Sequence, residues 1–174
     1  MRPRERDRPP HRAVPAPHPT GRLRPVASGR YRTGGSTIAT IHETAVIDAP
    51  PEQVWAALRA LDEVHLRLLP GYVLDSRMDG DIRYLTLPSG QVIRELIVTV
   101  DDEARRLAYS AVAGFQLPIQ HHHASFQVFE EIGDRTRLVW ITDVLPHPAA
   151  EGSRIRIVRA LEVMRETLEQ SVIR

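Results

Sequence analysis

Three consecutive histidines, His121-His122-His123, are the most conspicuous group that could do chemistry. In a strand, successive side chains point to opposite faces, so the three cannot converge on one ion. His121 and His123 share one face, and the strand register derived below places Asp143 opposite His123. Two histidines and a carboxylate could hold a metal such as zinc. Because strand residues two positions apart diverge, we expect no metal and no cofactor. We expect His122 to point to the other face, into the cavity. There it is either a proton carrier near neutral pH or a cavity histidine without a catalytic role.

An arginine and a glutamate are predicted to meet across a hairpin. The loop Pro88-Ser89-Gly90, with glycine at a left-handed position, is a common hairpin connection. This loop pairs Leu85 with Ile93 and Arg83 with Glu95, all on one face. The charged pair is then either a polar anchor for a ligand, with Glu95 as an acid or base, or a structural salt bridge.

A second hairpin predicts an aromatic interior. The loop 132–134 pairs Val128 with Leu138 and Phe126 with Trp140. Tyr109 is expected to face the same interior. The catalytic candidates are therefore Glu95, His122 and Tyr109. The predicted ligand-binding residues are Arg83, Leu85, Ile93, Glu95, Tyr109, His122, Phe126, Leu138, Trp140 and Leu161. The same residues could instead form a plain apolar core.

These side chains need a sheet and a helix to position them. Residues 37–48 alternate as a strand, Pro50-Pro51 precede a short helix, and residues 61–69 predict a second one. Six strand-like runs separated by turn residues follow between 72 and 145. From Ile157 the apolar residues recur at helical spacing, at Leu161, Met164, Leu168 and Val172. The prediction is an α+β domain: a curved, seven-stranded antiparallel sheet around a long C-terminal helix, with room for a cavity.

Charge and proline divide the 174-residue chain in two. Residues 1–36 hold nine arginines, two acidic residues and half of the 14 prolines, whereas the remainder holds 14 arginines and 20 acidic residues. This composition predicts that residues 1–36 form a disordered tail and that residues 37–174 form one domain. The tail is an electrostatic arm for nucleic acid or anionic surfaces, a solvated tail, or the result of a start codon placed too far upstream.

Composition also excludes several classes of protein. All 23 basic residues are arginine, which is typical of a GC-rich bacterial genome. With no cysteine there are no disulfides and no thiolate chemistry, and we expect a cytoplasmic protein. No apolar run is long enough to span a membrane. The acidic domain argues against nucleic-acid binding. An outward apolar strip of Phe129, Val139 and Ile141 suggests a homodimer.

The ordered set of motifs resembles the START-like superfamily, also called SRPBCC, over about residues 40–172. The matching segments are Ile47-Asp48-Ala49-Pro50, Glu52-Gln53-Val54-Trp55, Leu69-Pro70-Gly71, Gly80 with Ile82-Arg83, Ser89-Gly90 with Ile93-Arg94-Glu95-Leu96, Asp101-Asp102 with Arg106-Leu107-Ala108-Tyr109, Leu117-Pro118, and Trp140 with Pro146. The chain is most similar to the bacterial polyketide cyclase/dehydrase-like branch. It departs from that pattern at His121-His122, where an Asn-Tyr pair is common, and at Leu68, where an aromatic is common.

The resemblance implies the helix-grip fold and a cavity for an apolar, lipid-like or polyketide-like molecule. Three functions stay open at this point. The protein could bind an apolar small molecule, act as a cyclase/dehydratase-type enzyme with acid and base residues in the cavity, or serve as an interaction or stress-response module without a dedicated ligand.

Overall fold

A computed structural model describes residues 38–115 and 117–172. Within these residues the elements are β1 (Ala39–Ile47), α1 (Pro51–Arg59), α2 (Val64–Arg67), β2 (Asp75–Asp79), β3 (Ile82–Thr86), β4 (Val92–Asp101), β5 (Arg106–Ala113), β6 (His121–Glu131), β7 (Arg135–Leu145), a 3-10 turn (His147–Ala149) and α3 (Ala150–Val172). The tail predicted at 1–36 lies outside the described residues.

The seven strands form one antiparallel sheet in the order β1-β7-β6-β5-β4-β3-β2. Consecutive strands from β2 to β7 are neighbours, and β1 returns to pair with β7, so that Ala39 lies opposite Val144. The predicted α+β helix-grip architecture is confirmed. No helix in the described part of the chain is both long and apolar enough to cross a membrane.

Both predicted hairpin registers are confirmed. The Leu87 N–H donates to the Gln91 carbonyl at 2.9 Å, and Gly90 has a φ of 81°, which a glycine adopts without strain. Arg83 therefore lies opposite Glu95. In the second hairpin Phe126 lies opposite Trp140.

The core fills the space between the concave face of the sheet and the helices. Leu107 on β5, Leu58 on α1 and Leu168 on α3 are almost completely buried there. α1 begins with a proline in its first turn, where the absent N–H would have no helical partner. Its Trp55 donates through Nε1 to Asp102 at 2.9 Å, which ties the helix to the turn after β4.

The second short helix is shorter than predicted, and α3 extends towards the N-terminus beyond the apolar repeat used to predict it. α3 begins at Ala150, and polar residues of its first turns take part in tertiary packing: Ser153 is buried, and Arg154 pairs with Glu43 at 3.0 Å. The apolar periodicity, which starts at Ile157, could not reveal this. The second short helix is confined to Val64–Arg67.

The outward strip suggested as a dimer contact is not a continuous exposed patch. Val139 is buried, and the Arg137 guanidinium lies 4.3 Å from the centroid of the Phe129 ring. Exposed apolar side chains lie elsewhere on the sheet, at Val98 and Val112. The homodimer stays a prediction.

Candidate functional site: a cavity between the sheet and the last helix

An internal cavity of about 190 Å³ lies between the concave face of the sheet and α3. The strands supply one wall, including Leu85, Ile93, Leu107, Ala111 and Phe126. α3 supplies the opposite wall with Ser153, Arg156, Ile157, Ala160 and Met164. Residues from α1 through the segment after α2 add Leu58, Val64, Leu68, Leu69, Tyr72 and Val73. Most of this lining is apolar, as expected for a small-molecule site.

A buried ion pair stands on the strand wall. Arg83 donates to Glu95 through Nε at 2.9 Å and through an Nη nitrogen at 2.7 Å. Both bonds end on the same oxygen, Oε2, and both side chains are buried. Oε1 of Glu95 accepts no hydrogen bond from any residue that the structure describes. One carboxylate oxygen therefore remains to act on a ligand.

Tyr109 lies beside this pair in a cluster of rings. The Arg83 guanidinium lies 5.3 Å from the centroid of the Tyr109 ring, and the Phe126 ring stacks on Tyr109 with the centroids 6.0 Å apart. Burial raises the pKa of the Tyr109 hydroxyl far above its usual range, and the Glu95 carboxylate raises it further, against the lowering effects of Arg83 and Trp140. Tyr109 is therefore a neutral hydrogen-bond donor in this site.

His122 is neutral as well. Burial lowers the pKa of its imidazole to about 4, and the neighbouring His123 and His121 lower it further. Its Nδ1 accepts the backbone N–H of Ala111 at 3.1 Å. In the neutral ring the proton is then on Nε2, and the ring lone pair on Nδ1 is already used by the hydrogen bond from Ala111. His122 is therefore a hydrogen-bond donor in this site, which favours a cavity histidine over a proton carrier, the other alternative from the sequence.

Three further polar atoms of the lining are buried without a partner among the described residues. They are Nε1 of Trp140, Oγ1 of Thr142 and Oγ of Ser153, in residues that are 8%, 1% and 7% exposed. A buried polar group left unsatisfied costs about 1–3 kcal/mol. Sequence reasoning missed Thr142 and Ser153, although strand alternation two residues beyond Trp140 places Thr142 on the same inner face.

The segment between β5 and β6 closes one side of the cavity. Gly114, Phe115, Leu117 and Ile119 all contribute to the lining. Gly114 has a φ of 80°, and a Cβ there would lie 2.0 Å from the Val92 carbonyl oxygen, so only glycine fits. The Gln91 amide donates to the carbonyls of Gly114 and Phe115 at 3.0 and 3.1 Å. No sequence pattern had indicated that this segment belongs to the site.

The structure brings eight of the ten predicted ligand-binding residues to the cavity wall. These are Arg83, Leu85, Ile93, Glu95, Tyr109, His122, Phe126 and Trp140. Leu138 and Leu161 are corrections. Leu138 shares the inner face but is completely buried in the core, because strand alternation gives the face and not the position along the strand. Leu161 faces a groove beside β1, since the apolar stripe of α3 is wider than the part that meets the cavity.

The outer-face histidines form no metal centre within residues 38–115 and 117–172, where no three histidine, aspartate or glutamate side chains are grouped closely enough to hold an ion. Asp143, opposite His123, instead accepts the Thr40 hydroxyl at 2.5 Å. The cavity itself offers hydrogen-bond donors, among them the neutral side chains of Tyr109 and His122, together with one carboxylate oxygen of Glu95.

Comparisons with known proteins agree with this architecture. XoxI from Bacillus cereus is 22% identical, with a TM-score of 0.65 over 76% of this chain and 94% of that one. Norcoclaurine synthase from Thalictrum flavum is 19% identical, with a TM-score of 0.60 over 87% of this chain and 98% of that one. A START superfamily protein from Mycobacterium smegmatis is 14% identical, with a TM-score of 0.60 over 75% of this chain and 97% of that one. At these identities the likeness concerns the fold.

No curated protein matches the sequence. A family model, described as polyketide cyclase / dehydrase and lipid transport, matches residues 39–171. This span contains every strand and nearly all of α3. The chain therefore belongs to the polyketide cyclase/dehydrase and lipid transport family.

Proposed function

We propose that the protein binds an apolar small molecule in the cavity between the sheet and α3. The observation that carries the proposal is the cavity itself, which has a volume of about 190 Å³ and apolar side chains on each wall. Interiors without a ligand are normally packed with few voids larger than a water molecule. A lined cavity of this size is therefore better explained as a binding site than as a packing defect.

The volume limits the ligand that this conformation can accept. An engineered apolar cavity of about 150 Å³ binds benzene, and drug-sized ligands occupy roughly 300–1,000 Å³. At about 190 Å³ the cavity accepts a ring with a small substituent. A lipid-like or polyketide-like ligand, which the family name suggests, would need the segment around Leu117 to move.

Filling the cavity tests this proposal. Ala160 lies on the α3 wall and is buried, so Ala160→Leu projects a larger side chain into the space. We expect α-methylstyrene, a single-ring hydrocarbon, to bind the unmodified protein with a sub-millimolar Kd in calorimetric titration, and Ala160→Leu to weaken it about tenfold.

Glu166→Leu, on the exposed face of the same helix, is the matched control and should bind as the unmodified protein does. Unchanged affinity in Ala160→Leu would place the ligand elsewhere. Failure of both α-methylstyrene and its carbonyl analogue acetophenone to bind the unmodified protein would contradict the proposal and favour an interaction module without a ligand.

A second candidate function is cyclase/dehydratase-type catalysis, and the Glu95 carboxylate supports it. Its Oε1 accepts no hydrogen bond from a described residue, and the neutral Tyr109 hydroxyl belongs to the same cavity. Glu95 would remove a proton next to a ligand carbonyl, and Tyr109 would donate to the developing oxyanion.

Deuterium exchange tests this second function. In deuterated buffer, the protein should accelerate exchange of the methyl protons of acetophenone, measured by proton NMR, and Glu95→Gln should abolish the acceleration. Because Glu95→Gln also disturbs Arg83, Tyr109→Phe serves as a second variant, with an expected loss of about 10²-fold or more. Exchange at the uncatalysed rate with the unmodified protein would eliminate this function.

A further inference from the structure

The three unpartnered polar atoms of the core all belong to the wall of one cavity. Nε1 of Trp140 and Oγ1 of Thr142 lie on β7, and Oγ of Ser153 lies in the second turn of α3. Buried polar groups in folded proteins are normally hydrogen-bonded. That every such side-chain atom found in the described residues lines the proposed binding site suggests that the ligand itself provides the missing partners.

The polar groups of the cavity are mainly donors. The Trp140 indole N–H can only donate, and so can the Arg83 guanidinium. The Nε2–H of His122 donates too, because its Nδ1 is occupied by the Ala111 N–H. Glu95 is the obligatory acceptor among the side chains that the structure places on the wall, and it already accepts twice from Arg83. The hydroxyls of Thr142 and Ser153 can donate or accept. An acceptor on the ligand can therefore pair with them and with the obligatory donors, whereas a ligand that offered only donors would leave Trp140, Arg83 and His122 without a new partner.

Two hydrogen-bond donors, the Trp140 indole N–H and the Tyr109 hydroxyl, belong to the same cluster of rings. The Phe126 ring packs against Trp140 with the centroids 4.4 Å apart and against Tyr109 at 6.0 Å. The side chain of Trp140 is near enough to the Tyr109 hydroxyl to lower its pKa, yet its N–H makes no hydrogen bond of normal geometry with a described residue. An oxygen placed beside these rings would therefore meet donors from β5 and β7.

We infer that the ligand is a single-ring compound bearing a carbonyl-type acceptor oxygen, held by the buried donors of Trp140, Thr142 and Ser153. This inference rests on the proposed binding function and narrows it to a chemical class. The cavity volume limits the ligand to one ring, and the donor excess specifies the oxygen. The carbonyl can belong to a neutral ketone or to a carboxylate, and the experiment separates the two.

The decisive comparison uses two probes of the same shape. Acetophenone and α-methylstyrene differ only in that a C=O group replaces a C=CH₂ group. Calorimetric titration of both is carried out with the unmodified protein and with Thr142→Val, Ser153→Ala and Trp140→Phe. We expect at least one variant to weaken acetophenone about fivefold to tenfold, the value of one hydrogen bond, while α-methylstyrene binds as before or more tightly.

A stability measurement on two threonines of β7 provides an independent readout. Thr136 and Thr142 are both almost completely buried, but the Thr136 hydroxyl donates to the Ala49 carbonyl at 2.7 Å, whereas the Thr142 hydroxyl has no partner among the described residues. Thr136→Val should therefore lower the urea midpoint of the ligand-free protein. Thr142→Val should leave the midpoint unchanged or raise it, because it removes an unsatisfied group.

The possible results separate the two proposals. If α-methylstyrene binds and all three variants weaken both probes equally, the acceptor inference is overturned while the binding function stands. If neither probe binds, both proposals fail. A loss of stability in Thr142→Val as large as that in Thr136→Val would also overturn the inference, because it would mean that Thr142 is already satisfied. Benzoate, titrated in parallel, shows by its affinity relative to acetophenone whether the ionised or the neutral carbonyl is preferred.

Discussion

At the residue scale, the cavity depends on charges and protons kept in fixed states away from water. Arg83 and Glu95 neutralise each other at 2.7 Å, and Tyr109 and His122 both remain uncharged at neutral pH. Such a site offers directed hydrogen bonds at little electrostatic cost to an uncharged guest. Removing either member of the ion pair would change this balance at once.

The ion pair gives the first prediction. Glu95→Gln should leave the Arg83 charge buried without compensation and lower the free energy of unfolding by about 3 kcal/mol. The double change Arg83→Met with Glu95→Leu should recover much of that loss, since both charges are removed. Urea denaturation of Arg83→Met, of Glu95→Leu and of the double variant measures the coupling. Strictly additive effects would mean that the two side chains do not interact.

His122 gives a prediction on pH. Its pKa falls from about 6.5 in an unfolded chain to about 4 in the folded protein, so the unfolded state binds the proton first. The free energy of unfolding is therefore highest above pH 6.5 and falls as the pH falls from 6.5 toward 4, by a total on the order of 3 kcal/mol. Urea midpoints measured between pH 7 and pH 4 should show this loss.

His122→Asn retains an acceptor for the Ala111 N–H and cannot titrate, so its stability should fall less steeply over the same pH range. His42→Gln, at an exposed position of β1, is the matched control and should follow the unmodified protein. Equal slopes for His122→Asn and the unmodified protein would show that the imidazole is not buried as described.

At the element scale, substitutions at two glycines with nearly the same backbone conformation distinguish the cost of backbone strain from the cost of a steric clash. Gly90 and Gly114 have φ values of 81° and 80°, but a Cβ at Gly90 meets nothing within 4 Å, whereas one at Gly114 meets the Val92 carbonyl at 2.0 Å. Gly90→Ala should cost about 1–2 kcal/mol through backbone strain alone. Gly114→Ala should cost about 1–3 kcal/mol more and should also weaken α-methylstyrene binding, because Phe115 and Leu117 would shift.

Denaturation and titration of both variants check this prediction. Equal losses of stability would mean that the chain after β5 does not approach β4 as closely as described. If Gly114→Ala lowered the stability but left the affinity normal, the segment after β5 would not contribute to ligand binding.

The elements also show why sequence reasoning reached the strands and missed part of the site. Alternation and turn chemistry are local, so the loops at Gly90 and Gly133 predicted the pairings of Arg83 with Glu95 and of Phe126 with Trp140. The cavity is not local. Its limits depend on how far along β7 the core is filled, at Leu138, and where it opens, at Thr142. The contribution of Leu117 depends on a loop whose path no periodicity records.

At the scale of the whole molecule, the composition predicts that residues 1–36 contribute little to the stability of the domain. The segment is rich in arginine and proline and poor in large apolar residues, so it has little surface to bury. Deleting it should change the melting temperature by less than about 2 °C, well below the shift expected per kcal/mol in a domain of this size. Brief trypsin digestion, followed by mass spectrometry, should leave a core that starts near Thr37. A fall of several degrees would move the domain boundary toward the N-terminus.

The pairing of the first strand with the last also has a consequence for how the protein folds. Among the described strands β1 pairs only with β7, and α3, which covers the sheet, follows β7 in the chain. During synthesis the apolar side chains of Ile41 and Ile47 can be buried only after nearly the whole domain has left the ribosome. Topologies with contacts between distant parts of the chain fold slowly, and their folding intermediates expose hydrophobic surface that promotes aggregation. The walls that β7 and α3 supply to the cavity are the last parts of the domain to be synthesised. Because a ligand binds only the native cavity, we expect a ligand present during refolding to increase the yield of native protein.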